Sequence, residues 1–304
     1  MVANIPGSLH GACTRRQALD ALGTYGVRAA IDSGALVAMW PRVLVLGERQ
    51  LELRTRAAAA LLTAGPESAL CGFTAAALHG CEAVPLREID VIVPYNRWVR
   101  RRAGLRVRTG RMMPEDVCLL EGLRVQPLDL VVSELLCTAR PRQVLSCADQ
   151  AFRLQPPTAR RLFGAAVQRR LRERPDRRGS CQATMLVELA NGEAESPPES
   201  WLRLLLVEHR YPPPEVQHPV CDLDGNLVWR LDLAWPTLRI GLEYDGYEAH
   251  LGREDRDAMR DEDLRRRGWI IIHATAEDLR DPGRMLAELA AAFRHRGRGL
   301  SATA

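Results

Sequence analysis

Two neighbouring segments, 229–235 and 238–244, alternate apolar and polar residues with a period of two on either side of Pro236-Thr237. Successive side chains of a strand point to opposite faces, so this pattern predicts a hairpin with two sorted faces. Trp229, Leu231, Leu233 and Trp235 fall on one face, with Arg230 and Asp232 on the other. Leu238, Ile240, Leu242 and Tyr244 likewise alternate with Arg239, Gly241, Glu243 and Asp245. A two-residue turn sets Trp235 opposite Leu238 and Asp232 opposite Gly241, with Glu243 diagonal to Asp232 on the same face. Asp232, Glu243 and Asp245 then converge, and like charges in a half-buried corner repel unless a cation or an arginine stands among them. A hard divalent ion suits such a place, because Mg²⁺ (or Mn²⁺) takes one or two carboxylates plus water and phosphate oxygens.

The surroundings extend the pattern. Residues 192–198 punctuate the chain, and Ser196-Pro197-Pro198-Glu199 reads as a helix start with Glu199 at the third position of a capping box. Trp201, Leu202, Leu205 and Leu206 recur at helical spacing before Tyr211-Pro212-Pro213-Pro214 ends the run. Plainer readings stand beside the chemical one: Asp245-Gly246 as a strand-ending turn, His250 as a surface histidine, Arg260 as the helical partner of Asp257 or Glu262.

Leu231-Asp232-Leu233-Ala234-Trp235-Pro236, then Gly241-Leu242-Glu243-Tyr244-Asp245-Gly246 and His250, resemble the Vsr-like branch of the PD-(D/E)XK nucleases, and within it an uncharacterised bacterial family. Glu199, Arg253, Asp257, Arg260, Gly268-Trp269 and a closing helix from about Glu277 follow that family's order, so the resemblance spans roughly residues 195–295. It implies a metal held by Asp232 and Glu243, with the Tyr244 carbonyl as a further ligand, and a water that attacks phosphorus. One departure matters: the common motif has lysine where this chain has Asp245, and the chain contains no lysine. Asp245 is then left to complete the metal shell or orient His250, while His250 or Arg253 acts on the phosphate.

Thr14-Arg15-Arg16-Gln17 forms a capping-box pattern, followed by a short helix with Ala18, Leu19 and Leu22 inward. A break over 23–26 leads to a second helix with Val27, Ala30 and Ile31 inward, ended by Gly34. Strands over 36–40 and 43–46 about Pro41-Arg42 complete a helix, turn, helix and wing. This stretch resembles the N-terminal winged helix of the AbiE-type antitoxins, whose members repress their own operons. Arg28 is the one basic side chain of its second helix, whereas a groove reader brings several donors; a packing domain is the alternative.

Between these ends, 54–63 and 74–78 read as helices, 89–93 as a strand and 186–190 as a helical turn. Seven arginines from Arg97 to Arg111, including Arg100, Arg101 and Arg102, have no acid among them. Such a strip could follow a phosphate backbone, or simply be a solvated face in a chain whose 42 basic residues are all arginine. Arg160–Arg178 reads as a helix end running into a linker. The net charge of +4 is compatible with nucleic acid without pointing to it.

The eight cysteines form no C-x-x-C pair or tight cysteine–histidine cluster, which gives a reduced, cytoplasmic compartment as the expectation. No signal peptide pattern or bilayer-length apolar run is seen, so no membrane role is expected. H-E-x-x-H and G-x-S-x-G are absent, and a lysine-dependent phosphate loop is excluded, so no small-molecule organic cofactor is implied. The expected architecture is α/β (α+β): a winged helix over 1–51, a mixed module and linker over 52–190, and a restriction-endonuclease-like mixed sheet flanked by helices over 191–304. The expected function is metal-dependent DNA hydrolysis in defence or mobile-element biology. The alternative is a non-catalytic AbiE-type antitoxin or repressor, with a cognate toxin as partner and an inactive nuclease fold.

Overall fold

A computed structural model describes residues 5–246 and 254–297, the second stretch with its side chains from Ala258 onward. The chain is an α/β protein that divides into two compact units, one of residues 1–139 and 154–184, the other of 140–153 and 185–304. Among the described residues, no helix is long and apolar enough to cross a membrane.

The first unit opens with β1 (Ala12–Thr14), α1 (Arg15–Asp32), β2 (Leu36–Trp40) and β3 (Val43–Leu46), the strands pairing in the order β1-β3-β2. The capping box forms: Thr14 Oγ1 accepts from the Gln17 backbone amide and Gln17 Oε1 accepts from the Thr14 backbone amide at 2.7 Å. Gly23, at φ 68°, breaks α1 into two helical parts, a backbone state that glycine reaches without a side-chain clash. Ala18, Val27 and Ala30 of α1 bury against Ile5, Cys13, Leu36 and Leu44.

The unit continues through α2 (Leu53–Ala64), β4 (Ala69–Leu70), α3 (Gly72–Leu78), β5 (Ile89–Val93), β6 (Leu105–Thr109), β7 (Cys118–Leu120), β8 (Leu123–Val125) and α4 (Leu128–Thr138). Its second sheet has the order β6-β5-β4-β8-β7. Ala57–Ala60 of α2 are all buried, their small side chains letting the helix lie close to β5. The next helix, α5 (Pro141–Arg153), belongs to the second unit, while α6 (Arg160–Glu173) returns to the first. The helical turn expected at 186–190 is the end of a longer helix, α7 (Ser180–Leu189).

The second unit is completed by α8 (Pro197–Glu208), β9 (Glu215–Cys221), β10 (Leu227–Trp235), β11 (Ile240–Tyr244), α9 (Glu254–Arg266), β12 (Ile270–Ala274) and α10 (Gly283–His295). Its sheet is mixed, ordered β12-β11-β10-β9, with β11 and β12 parallel and the other pairs antiparallel. Leu202, Leu205 and Leu206 of α8 and Leu289 and Phe293 of α10 bury with Leu233, Trp235, Ile240, Leu242 and Ile272 of the sheet. Truncating Phe293 to Ala would cost about 3–5 kcal/mol of this packing. On the other side Leu264 of α9 packs with Leu231, Ala234 and Trp269. Helix α5 is fixed to α8 by a buried pair: Arg203 Nη1 lies 3.3 Å from Asp149 Oδ2, which also accepts from Ser200 Oγ at 2.6 Å.

The hairpin of β10 and β11 forms, with two corrections. Its connection is longer than two residues: a 3₁₀ turn over Pro236–Leu238 ends on Arg239, left-handed at φ 50°. Trp235 therefore pairs with Ile240, and Leu233 with Leu242. The register has moved by two, which keeps side-chain parity, so Glu243 still shares its face with Gly241. The regular alternation expected along β10 does not hold. Leu231 packs with Ala234 and Leu264, whereas Leu233 packs with Trp235 on the opposite side. The break falls at Asp232, beside Gln217 of β9, whose own φ of 53° is left-handed.

Candidate functional site

The local break in β10 decides what Asp232 can touch. The paired ladder between β10 and β11 stops at Leu233–Leu242, so the Tyr244 amide lacks a strand carbonyl and donates instead to Asp232 Oδ2 at 3.0 Å. Asp232 Oδ1 accepts from Gln217 Nε2 at 3.3 Å, and the same nitrogen donates to Glu199 Oε2 at 2.7 Å. One amide from β9 thus links the carboxylates of α8 and β10. Burial pushes the Asp232 carboxyl above its ordinary range, against the Tyr244 amide and the Arg260 charge.

Glu199 is 5% exposed, and its carboxyl is also raised, by burial first and then by the Asp232 charge. The expected capping box at Ser196 is corrected: the Ser196 side chain accepts no helix amide, and Ser196 Oγ donates to Glu199 Oε1 at 2.7 Å. Glu199 Oε2 takes the Glu195 amide at 2.9 Å. A buried carboxylate attracts the hydroxyl proton more strongly than a neutral acceptor does, and this orients Ser196 toward it.

Glu243, on β11, is 5% exposed and its carboxyl is pushed up to about 7 by burial, although the Arg260 charge pulls it down. Arg260 of α9 donates to Glu243 Oε1 at 2.5 Å and to the Arg230 carbonyl at 2.8 Å, with its guanidinium 5.7 Å from the Trp229 ring centre. Arg260, whose plain reading from sequence is a helical ion-pair partner, is therefore placed on an acidic strand residue of the site.

Asp245 follows β11 and lies 2.9 Å from His273 Nδ1; His273 Nε2 meets Asp261 Oδ2 at 3.0 Å. His273 sits on β12 in register with Glu243. The Asp245 carboxylate beside it is the largest reason that the imidazole is raised to about 9. The raised pKa favours an imidazolium beside Glu243 at neutral pH, in a chain without lysine.

The structure brings Glu199, Asp232, Glu243, Asp245 and Arg260 to one corner of the sheet; His250 and Arg253 lie outside the described residues. Sequence reasoning missed Gln217, Asp261 and His273. Each reaches the corner through a strand register or helix placement that no local spacing encodes. Among the described residues, no group of three or more His, Cys, Asp or Glu side chains is arranged to hold a metal ion. Half-buried Asp232, buried Glu243 and the Tyr244 carbonyl nevertheless offer hard oxygen donors, the donor type that fits a divalent ion. Both carboxyls are raised chiefly by burial, a desolvation that a divalent ion beside them would offset.

The arginines of the first unit are placed variously. Arg28 is exposed and 3.9 Å from Asp32, one turn on. Parallel pairing of β5 and β6 brings acids to the strip that the linear sequence lacks: Arg106 bonds Glu88 at 2.9 Å, and Arg108 lies 3.8 Å from Asp90. Arg97 is tied to the Ala64 carbonyl at 3.0 Å. Arg100 and Arg101 are exposed, and Arg102 is half-buried.

No family model matches the chain. It is 32% identical over 265 residues to "Uncharacterized protein Rv2248" of Mycobacterium tuberculosis strain H37Rv, covering 86% of this chain and 93% of that one. The same figures relate it to "Uncharacterized protein MT2308" of strain CDC 1551: 32% identity over 265 residues, 86% of this chain and 93% of the relative. Among solved structures, the RV2827C protein from Mycobacterium tuberculosis aligns at 15% identity and a TM-score of 0.41, over 69% of this chain and 83% of that chain, a likeness too distant to bear on the fold. The chain belongs to the family of the mycobacterial proteins Rv2248 and MT2308.

Proposed function

We propose that the second unit is a metal-dependent phosphodiesterase acting on DNA, with Asp232 and Glu243 holding Mg²⁺ or Mn²⁺. The observation that carries this reading is the meeting of half-buried Asp232 and buried Glu243, both raised in pKa, at the point where β10 and β11 part. The bound ion would supply activation of a water and neutralisation of phosphate charge. Gln217 and the Tyr244 amide hold Asp232 in orientation, and Arg260 and His273 place positive charge beside Glu243. Preorganised charges of this kind favour a transition state that gains negative charge on phosphate oxygens. The Vsr-like resemblance of 231–246 agrees with this assignment, and eight free cysteines suit the cytoplasm as its compartment.

A second reading draws on Arg260. Because it already neutralises Glu243, the corner could persist as a structural ion pair in a non-catalytic antitoxin or repressor that binds DNA and a cognate toxin. Plasmid, linear and mismatched DNA incubated with Mg²⁺, Mn²⁺ or EDTA separates the two. Cutting that requires metal and is lost in Glu243→Gln supports the phosphodiesterase. Absence of cutting with either metal, with DNA binding intact in Glu243→Gln, supports the repressor.

A further inference from the structure

Strands β5 and β6 are parallel neighbours, and a parallel crossover is usually a helix packed on the sheet. Here residues 94–104 make the connection without a helix or strand. Surface connections positioned by a rigid sheet often carry function. This one projects two aromatic rings into solvent: Tyr95 is 76% exposed and Trp98 82%. Exposed Arg100 and Arg101 follow within the same turn of chain, and no acid occurs between 94 and 104.

The base of the loop is anchored. The Arg97 amide donates to the Pro94 carbonyl at 3.0 Å and its side chain to the Ala64 carbonyl at 3.0 Å. At the far end Trp40 Nε1 donates to the Ala103 carbonyl at 3.1 Å, and Arg102 bridges Leu105. The rings therefore project from a support held at both ends, which lowers the ordering cost of a contact.

We propose that loop 94–104 is a stacking platform for single-stranded nucleic acid, in which Tyr95 and Trp98 take unpaired bases and Arg100 and Arg101 take the adjoining phosphates. Aromatic faces accept any base, and arginine supplies the complementary charge that the backbone requires. A duplex keeps its bases stacked on each other and offers such rings only phosphate and groove edges. The proposal stands apart from the metal chemistry of the second unit.

The test uses the full chain in EDTA, so that cleavage plays no part, with a labelled oligothymidylate of about 16 nucleotides and a duplex of equal length. The Tyr95→Ala/Trp98→Ala variant should lose at least about tenfold in affinity for the single strand and less than about threefold for the duplex. Tyr95→Phe/Trp98→Phe should restore strand binding, since the stacking faces return. Arg100→Ala/Arg101→Ala should weaken both ligands and flatten the salt dependence. The idea is overturned if the alanine pair binds the strand as the parent does, or loses strand and duplex alike. It is also overturned if the parent ignores the strand but binds phosphatidylserine vesicles in a Trp98-dependent way. Because the result needs no metal, a failure of the phosphodiesterase reading leaves it intact, and the reverse holds.

Discussion

Arg260 donates from α9 to the buried Oε1 of Glu243 on β11 at 2.5 Å, so one arginine joins the helix to the strand that carries the site. Its side chain is 25% exposed against 6% for Glu243, which leaves the carboxylate more dependent on the pair than the guanidinium is. Arg260→Met should therefore cost about 1–3 kcal/mol near pH 8, chiefly as the cost of a buried acid without its partner. Urea unfolding of Arg260→Met, Glu243→Gln and the double variant tests this. The arginine change should be nearly silent when Glu243 is already Gln, and an undiminished loss in that background would refute the coupling.

The two largest shifts in this corner act in the same direction with pH. Glu243 is raised from 4.5 to about 7, so its contribution is fully present below 4.5 and is lost as pH rises through about 7. His273 is raised from 6.5 to about 9, so its contribution is fully present below 6.5 and is lost as pH rises through about 9. Metal-free melting temperatures measured from about pH 4.5 to 9 should fall in two overlapping steps. Glu243→Gln should flatten the lower step and His273→Gln the upper. A parent that grows more stable across this window would contradict both assignments.

Magnesium should reverse the first of these trends. An ion that binds the folded chain alone adds stability of RT ln(1 + [L]/Kd), about 2.7 kcal/mol at a hundredfold excess over Kd. Millimolar Mg²⁺ should therefore raise the melting point most near pH 8, where Glu243 is ionised, and least near pH 5. Asp232→Asn and Glu243→Gln should each abolish the increment. An equal increment in all three proteins would place the ion elsewhere.

Local chemistry made much of the fold legible. The reciprocal bonds of Thr14 and Gln17, the break at Gly23 and the alternation in β11 all depend on residues a few positions apart. The site was legible as acidic residue types gathered about one hairpin, although the break in alternation at Asp232 was not. It was not legible as contacts. Arg239 adopting a left-handed turn lengthened the connection, and Gln217, also left-handed, donates to Asp232, whose other oxygen takes the Tyr244 amide. His273 and Asp261 reach Asp245 through the parallel pairing of β11 with β12 and the placement of α9, both set by long-range packing. The acids that offset part of the arginine strip were hidden for the same reason: Asp90 and Arg106 are neighbours only across β5 and β6.

Glu199 permits the sharpest separation of structure from chemistry. Three donors converge on its carboxylate, from Ser196, Glu195 and Gln217, while burial and the Asp232 charge raise its pKa. Glutamine keeps acceptor capacity and removes the buried charge, so relief of desolvation and repulsion offsets the roughly 0.3–1 kcal/mol lost from interaction with the α8 dipole. Glu199→Gln should hence melt at or above the parent temperature without metal. Ser196→Ala should instead destabilise, by about 1–3 kcal/mol, because a buried carboxylate loses a donor while its charge remains. Cleavage should show the opposite order if Glu199 lends its charge to the metal corner. Glu199→Gln would then fall at least about tenfold, roughly 1.4 kcal/mol in the barrier, and Ser196→Ala would change little once folded. Parent-like cleavage by Glu199→Gln would leave it a positioning residue that acts through Gln217 on Asp232. In that case Gln217→Leu, which breaks the link to Asp232 without altering charge, should lower cleavage more than Glu199→Gln does.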